Sequence, residues 1–523
     1  MRKADVYLVI LLLVALVSLL MTTVPIFSGI FPFTFDQGRD LLWVKNQVDF
    51  KRPSLLGPWG SLSGVYFGPL WFWLLTLPYL FFQGNPVGIT LFNALVVFSA
   101  LFLGAWLFKR PAKTLAYFFL LLGFLSPAVQ GISRYAFSQH LLPILTLLLI
   151  YSYAQILYKK SRLHFILAAL WIGLMFHAEP PLSIFSIPPW LIVTWLSHKK
   201  KKFLNLKLII LALMVFLISL FPLALFDLRH GFLQTKTVLA YLMGKNKSLG
   251  DILPFWQRLL DRPYQFFLVF QASIFPKSFW ICLGIFLLTI YFNLRNKTKN
   301  FINHWWQVSL IYMASLLIIF IFYPPQLKSF YLDGLIMIYL FWAARGLTYV
   351  WGQKKHLLVA GTLILAFWFN LEPWSFFKSY RLGFGDQLQQ GSLFINQTRA
   401  LDWIYQKANG QGFTVYTYVP PVYDYNYQYL FFWYGLKHYG YLPEEFSYLP
   451  NQPEYVQKKS EQLIRLQDKI KPGQGEVYLI LEKEGYSDRQ EKWLQQFSSE
   501  EYSLIEKAEL PGNILVSIFN LRG

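Results

Sequence analysis

The sequence predicts a mainly α-helical, polytopic membrane protein that ends in a small α/β domain. Its 523 residues are 55% hydrophobic and only 14% charged, and the mean hydropathy is +0.39. Soluble proteins average about 25% charged residues, so a single soluble globular body is excluded. The apolar residues also form long runs separated by short basic tracts, as in proteins that cross a membrane several times.

The positive charge belongs to the apolar part of the chain. Residues 1–371 contain 32 Lys and Arg against nine Asp and Glu, whereas residues 372–523 contain 15 against 18. This distribution marks loops between membrane spans rather than a nucleic-acid groove, so no nucleic-acid partner is expected. The single cysteine, Cys282, excludes a disulfide framework and a thiolate metal cluster within one chain.

Each membrane span needs about 20 apolar residues. Residues 6–26 form the first run, after Arg2 and Lys3. No small-residue cleavage site follows it, so we expect a retained helix. Ten further spans are predicted at 87–108, 114–131, 139–158, 163–178, 182–197, 206–226, 264–291, 304–323, 329–348 and 356–371.

The basic tracts orient these spans. If residues 66–83 formed a full span, every tract from Lys109 to Lys355 would face outward. If that segment lies in the interface, all the tracts are cytoplasmic. It contains Pro69 and Pro78, which favour an interfacial or broken helix. We therefore predict eleven spans in the cell membrane, a cytoplasmic N-terminus and an extracytoplasmic tail.

The tail, residues 372–523, has the pattern of an α/β domain. Helix-like stretches occur at 392–408 and 453–471, and the predicted strands are 413–419, 476–481 and 513–519. An aromatic-rich stretch, 415–434, would either stack on sugars or pack within the protein. We expect residues 1–371 to form the transmembrane domain and residues 372–523 the extracytoplasmic domain.

Acidic residues of the apolar part concentrate on the predicted outer side. Of the nine, all except Asp5 lie in or beside outer loops. Either these loops simply need polar residues, or the outer face carries the chemistry. The chain has no phosphate-binding loop, dinucleotide fingerprint or His-Glu-x-x-His motif, which argues against an ATP-driven enzyme or a zinc protease.

The first outer loop, residues 27–65, is the densest polar region. If a helix covers residues 36–49, Asp36 is its expected N-cap, and Asp36, Arg39 and Asp40 share one face. One interpretation is a capped helix with a local ion pair. The other is a carboxylate base at the membrane surface, beside a guanidinium that holds a phosphate.

These motifs resemble the GT-C glycosyltransferases. The chain has a long first span, then F-x-x-D-x-x-R ending at Arg39, then GPLWFW at 68–73. More narrowly, it is similar to the branch of protein O-mannosyltransferases and lipid A aminoarabinose transferases. The resemblance implies a polyprenyl-phosphate sugar donor that is used on the outer side. It also implies that Asp36 is the catalytic acidic residue. It spans residues 1–180, is looser to 371, and does not reach the tail.

The sequence departs from the family pattern at several positions. Gln37 replaces the family's Glu and Asp40 its Tyr, so a paired acid is either weakened or moved to Asp40. The aromatic run lacks the family's Lys-Pro-Pro form. Segment 132–140 matches an Arg-containing family segment through Arg134, but Ser138 and Gln139 stand where many members have another Asp.

Other outer-side residues complete the candidate set. A donor phosphate needs cations, for which Arg39, Arg134, Arg229 and Lys328 are candidates; each is otherwise an interfacial anchor. His177 and Glu179 would bind a divalent metal or the acceptor, or merely form a polar helix end before two prolines.

Two other functional classes stay open. A transporter or flippase of lipid-linked saccharides would use a similar membrane body, although no internal repeat or mid-membrane charge is evident. A non-catalytic glycan-assembly protein with a sugar-binding tail is the second. The expected function is an inverting membrane glycosyltransferase with Asp36 as base; its acceptor, whether glycan, lipid or protein, is left open.

Overall fold

The computed structural model describes residues 3–60, 64–200, 202–243, 252–274, 278–296, 300–370, 390–420, 423–483, 487–497 and 502–521. These residues form a mainly helical protein with one small sheet, as predicted. The chain divides into two compact units. The first contains residues 1–22, 54–74 and 92–372, and the second contains residues 23–53, 75–91 and 373–523. The predicted domain boundary at 371 falls within 371–389, outside the described residues.

The helices before the tail follow the apolar runs of the sequence. They are α1 (Lys3–Phe27), α2 (Phe35–Asp49), α3 (Leu70–Phe81), α4 (Pro86–Lys109), α5 (Lys113–Leu125), α6 (Pro127–Ser133), α7 (Leu142–Lys159), α8 (Arg162–Met175), α9 (Pro180–Phe185), α10 (Ile187–Lys200), α11 (Leu206–Ser219), α12 (Phe221–Arg229), α13 (Leu233–Leu242), α14 (Phe255–Ile274), α15 (Phe279–Arg295), α16 (Phe301–Phe322), α17 (Leu335–Gly352) and α18 (His356–Asn370). Short 3₁₀ turns precede α7 and α17, at Ser138–Leu141 and Ser329–Leu332.

Among the described residues, five helices are long and apolar enough to cross a membrane, or up to eight if each bent pair counts as one span. This number is below the eleven spans that the sequence predicts. Two of the bent pairs are α5 with α6 at 61° and α11 with α12 at 63°. The predicted spans at 163–178, 182–197 and 356–371 are helices of 14 or 15 residues, shorter than a bilayer requires.

Helix α3 coincides with the segment that decides the predicted topology. It has 12 residues and contains Pro78. At 1.5 Å per residue it reaches about 18 Å, less than the hydrocarbon thickness. Its length agrees with the prediction that residues 66–83 do not form a full span.

In the first unit, α7 packs against α8, α10, α16 and α17. Aromatic side chains fill the contacts: the rings of Phe108 and Trp305 lie 4.8 Å apart, as do those of Trp306 and Trp342. Because these helices are apolar on nearly all sides, they suit a membrane-embedded bundle.

In the second unit, a five-stranded sheet forms the centre of the tail, with strand order β2-β1-β3-β5-β4. Strands β1 and β3 are parallel neighbours, and β3, β5 and β4 are antiparallel. A hydrophobic core of the tail contains seven buried side chains: Tyr416, Tyr418, Val477, Leu479, Leu481, Trp493 and Phe497. The strands are β1 (Gly412–Tyr418), β2 (Glu445–Ser447), β3 (Gly473–Glu482), β4 (Tyr502–Leu510) and β5 (Ile514–Leu521).

The tail helices are shorter than those of the bundle. The predicted helix at 392–408 is confirmed as α19, whereas the helix predicted at 453–471 is reduced to α22, because Pro453 and a left-handed Lys458 precede it. A π-turn, Phe431–Gly435, links α20 to α21. The helices are α19 (Phe394–Ala408), α20 (Tyr425–Leu430), α21 (Leu436–His438), α22 (Lys459–Arg465) and α23 (Ser487–Leu494).

Candidate active site

The helix that carries Asp36 begins with a capping box. Thr34 is the N-cap, and the Oε1 of Gln37 accepts hydrogen bonds from the backbone N and the Oγ1 of Thr34, both at 2.8 Å. The prediction that Asp36 caps this helix is therefore wrong: Asp36 lies in the first turn. Gln37, where the family has Glu, satisfies the helix end instead.

Asp36, Arg39 and Asp40 form one connected ionic group, as their spacing predicts. Arg39 Nη1 lies 2.9 Å from Asp36 Oδ1. On its other side, Arg39 donates from Nε and Nη2 to Asp40 Oδ1 at 2.9 and 2.7 Å. One guanidinium is thus shared by two carboxylates, and the group carries a net negative charge when all three are ionised.

The two carboxylates differ in their access to solvent. The Asp36 side chain is 30% exposed, whereas those of Arg39 and Asp40 are 4% and 2% exposed. A buried ion pair with good geometry holds its members in fixed positions. Asp40 therefore fixes Arg39, and Arg39 in turn orients the more exposed carboxylate of Asp36.

The first turn of α2 packs closely against α20. A Cβ atom on Gly38 would overlap the backbone of Tyr425 and Asn426. Beside it, the rings of Phe35 and Tyr425 lie 5.0 Å apart. Only glycine permits this approach, so α20 determines where the Asp36 carboxylate lies.

The C-terminal half of α2 is tied to α22 of the tail by polar contacts. Gln462 donates from Nε2 to Asn46 Oδ1 at 3.0 Å and to Asp49 Oδ2 at 2.9 Å, and its Oε1 accepts from Lys45 Nζ at 2.8 Å. Asn46 in turn donates to the Gln457 carbonyl at 2.8 Å. The sequence does not predict this connection, because its partners lie more than 400 residues apart.

Arg134, in the first unit, follows α6 and is half-buried. Its Nε donates weakly to the Gln130 carbonyl at 3.3 Å, and burial lowers the pKa of the guanidinium. The loop is held by the fully buried Asn93, whose Nδ2 contacts the carbonyls of Ile132, Ser133 and Tyr135 at 2.8 to 3.1 Å. Asn93 is a second positioning residue that the sequence analysis missed.

His177 connects two of the sequence motifs. Its Nε2 lies 2.7 Å from the Ser219 carbonyl, and its Nδ1 accepts from the backbone N of Leu70 at 3.3 Å. Because Nε2 faces a carbonyl oxygen and Nδ1 faces an N–H group, the ring proton lies on Nε2. A Cβ on Gly68 would overlap this ring. Both nitrogens are thus engaged, and the His-Gly contact joins the GPLWFW segment to the end of α8.

Glu179 and Asp333 form a second acidic centre in the first unit. Glu179 is 1% exposed and accepts from Gln139 Nε2 at 3.2 Å. Burial raises the pKa of Glu179 to about 8. The charge of Glu179 acts on the Asp333 carboxyl group, so the two residues interact electrostatically. His140 Nε2 lies 3.6 Å from Asp333 Oδ2.

The remaining candidate cations lie at the surface of the first unit. The Arg229 side chain is exposed and makes no hydrogen bond or ion pair with another described residue. Lys328 is exposed, lies 5.8 Å from the centre of the Phe330 ring, and its charge opposes the rise in the pKa of Glu179. Asp227 accepts from the backbone N of Gln234 at 2.7 Å and of Thr235 at 3.1 Å, so it caps α13.

No group of three or more His, Cys, Asp or Glu side chains suited to a metal ion occurs among the residues that the structure describes. His177 and Glu179 make separate hydrogen bonds, to Ser219 and to Gln139. The structure brings Asp36, Arg39 and Asp40 together, and it links Glu179 electrostatically to Lys328.

No family model matches the sequence, and no curated protein matches it. The fold, however, is similar to two crystal structures of ArnT from Cupriavidus metallidurans. The apo structure is 11% identical and has a TM-score of 0.56, and the structure bound to undecaprenyl phosphate is 11% identical and has a TM-score of 0.57. Each likeness covers 98% of this chain and 97% of the other. The fold expected from the sequence motifs is therefore confirmed, and the chain shares it with ArnT.

Proposed function

We propose that the protein is an integral membrane glycosyltransferase that transfers a sugar from a polyprenyl-phosphate donor to an acceptor on the extracytoplasmic face. The observation that carries this proposal is the partly exposed Asp36 carboxylate, oriented by the buried Arg39–Asp40 pair directly after the first helix. The shared fold with ArnT, one structure of which is bound to undecaprenyl phosphate, supports a lipid-linked donor.

The proposed reaction is a direct displacement at the anomeric carbon. The acceptor hydroxyl oxygen forms the new bond to that carbon, the bond from the carbon to the phosphate oxygen breaks, and the hydroxyl proton passes to Asp36. Polyprenyl phosphate leaves with one more negative charge than it carried in the donor. A single displacement inverts the anomeric centre, and general-base catalysis of this kind contributes about 10²- to 10⁴-fold.

Asp40 has a different role from Asp36 in this proposal. Its side chain is 2% exposed and accepts two hydrogen bonds from Arg39, so an acceptor hydroxyl does not reach it as readily as it reaches Asp36. We assign Asp40 as a positioning residue and Asp36 as the base.

The leaving phosphate needs a cation other than Arg39, because the Arg39 charge is already shared by two carboxylates. Arg134 suits this role best: it is half-buried, and it has no carboxylate partner among the described residues. A cation in a partly dry site stabilises developing negative charge more strongly than one in water. Arg229 and Lys328, both exposed, are weaker candidates.

Asp36→Asn tests the proposal in proteoliposomes that contain a polyprenyl-phosphate sugar. We expect insertion to be unchanged and sugar transfer to fall by about 10³-fold, the middle of the range for a general base. Glu506→Gln, which removes an exposed carboxylate paired with Lys407, is the matched control and should stay fully active. Full activity of Asp36→Asn would remove Asp36 from the base role. Donor movement across the bilayer without sugar transfer would support the transporter alternative.

A further inference from the structure

A cavity of about 460 Å³ lies at one end of the helical bundle of the first unit, among α5, α15, α16 and α17. It belongs to the end that the basic tracts predict to be cytoplasmic, so it is separate from the proposed reaction. Its polar lining consists of two guanidinium groups, three amides and two hydroxyls, with no carboxylate: Arg295, Arg345, Asn296, Asn300, Gln353, Thr348 and Tyr349.

Arg345 is the buried cation of this cavity, at 1% exposure. Its Nη1 donates to the backbone O and the Oδ1 of Asn293 at 2.9 and 2.7 Å, and its Nη2 donates to the Asn296 carbonyl at 2.8 Å and to Asn303 Oδ1 at 3.1 Å. All four acceptors are neutral. A cation buried between apolar helices is costly unless an anion compensates it, and no described carboxylate does so here.

Arg295 provides a second cation at the exposed end of α15. Its guanidinium carbon lies 5.4 Å from the centre of the Tyr291 ring, and it makes no ion pair with a described residue. Basic residues also flank the lining in sequence, Lys113 directly after Ala112 and Lys354 directly after Gln353. The positive charge of this end is therefore concentrated around a cavity without acidic residues.

We propose that this cavity binds a phosphate group, and that an anionic lipid supplies it. Guanidinium and amide N–H groups are the donors that recognise phosphate oxygens, and a bound monoanion would compensate Arg345. The volume lies within the range of about 300–1,000 Å³ that small-ligand sites occupy. Basic pockets between membrane helices on the cytoplasmic side are known binding sites for acidic lipid head groups.

The surroundings favour a lipid over free phosphate. Helix α15 presents Leu287, Leu288 and Leu294 to the outside, each more than half exposed. In a membrane these side chains contact acyl chains, so a phosphate attached to such chains reaches Arg295 directly. A free ion would have to enter from water against the competing lipid head groups.

The test uses the full-length chain in nanodiscs of phosphatidylcholine with a minor fraction of phosphatidylglycerol. Native mass spectrometry then measures the lipid retained by the protein. We expect the unchanged protein to retain phosphatidylglycerol preferentially. In Arg295→Gln this preference should fall by about tenfold, because a tenfold change in affinity corresponds to the loss of one strong contact. Lys199→Gln, which removes a charge on the same predicted side but does not line the cavity, should bind as the unchanged protein does.

Two further arms separate the possible outcomes. Arg345→Lys keeps the charge and should retain most of the preference, and unchanged thermal unfolding shows that each variant is folded. One outcome is that inorganic phosphate displaces the retained lipid although the protein shows no preference for phosphatidylglycerol. In that case the cavity binds phosphate, and the proposal that an anionic lipid supplies it is overturned. If Arg295→Gln binds as the unchanged protein does, or if Lys199→Gln loses as much, the site itself is overturned. Sugar transfer plays no part in these measurements, so this proposal and the proposed function fail separately.

Discussion

Gly38 lies directly against the backbone of Asn426, although 388 positions separate them in the sequence. The contact sets the position of the first turn of α2, and with it the Asp36–Arg39–Asp40 group. Gly38 is therefore needed to position the proposed site, together with its charged neighbours.

Gly38→Ala should displace α2 and reduce sugar transfer at least tenfold. The added methyl group meets backbone atoms, which cannot move aside as a side chain does, and overpacking of this kind costs about 1–3 kcal/mol. Gly361→Ala is the matched control, because a Cβ there meets nothing within 4 Å and alanine favours the helix. Thermal unfolding and transfer assays check both variants. Full activity of Gly38→Ala would show that the packing is not needed.

Asp40→Asn should lower kcat by about 10- to 100-fold and leave the KM for the donor nearly unchanged. The amide keeps one acceptor for Arg39 but removes the charge that fixes it, so the Asp36 carboxylate loses its orientation. The loss should be smaller than that of Asp36→Asn. If Asp40→Asn is instead the more damaging change, the two carboxylates have the opposite roles.

Gln462→Ala should loosen the C-terminal half of α2 and lower stability by about 3 kcal/mol. Three residues of α2 lose a partner at once, two of them charged, and each such hydrogen bond is worth about 1–3 kcal/mol. Gln467→Ala, at an exposed position of the same segment, is the control. Denaturant titration in detergent measures the difference, and equal stability of the two variants would contradict the anchoring role.

Arg134→Gln should raise the KM for the donor by about tenfold or more and affect the acceptor much less. The half-buried guanidinium is the proposed partner of the donor phosphate, and one lost charge-assisted contact corresponds to about 1.5–3 kcal/mol. Lys236→Gln removes an exposed charge elsewhere in the same unit and should change neither constant. An unchanged donor KM in Arg134→Gln would exclude this residue from phosphate binding.

Glu179→Gln should weaken the pH dependence of stability. In the folded protein the pKa of Glu179 is raised to about 8, so between its usual value near 4.5 and about 8 the folded state holds a proton that the unfolded state releases. Stability therefore falls as pH rises through this window, by at most about 1.4 kcal/mol per pH unit for one group.

Glu179→Gln removes the pH dependence of stability that the Glu179 carboxyl group causes, and it keeps the hydrogen bond with Gln139. Unfolding temperatures from pH 5 to pH 9, compared for both proteins, measure the effect. Parallel curves for the two proteins would show that Glu179 is ionised in both states.

Much of the fold follows from patterns that act over short distances. The apolar runs locate the bundle helices, and alternating β-branched and aromatic residues locate β1, β3 and β5. Strand β4 was missed because Leu504 and Ile505 are exposed beside charged residues, so the stretch lacks the expected alternation. Strand β2 was missed because three residues carry too little pattern.

The candidate site was predicted only where its residues are close in sequence. Asp36, Arg39 and Asp40 meet because three and four residues make one helical turn. The anchors Gln462 and Asn426, and the loop support from Asn93, depend on the tertiary structure, for which one sequence has no local signal. The side of the membrane on which the tail lies stays a prediction.

The bonds between α2 and α22 join residues 413 to 417 positions apart. The ribosome makes α22 more than 400 residues after α2, so during synthesis the helix that bears Asp36 lacks these partners until the intervening segments have been made. Contacts of such high sequence separation form late in folding. A nascent chain would thus hold Asp36 in its final position only after α22 has emerged, so the helices of the bundle are made before the proposed site is assembled.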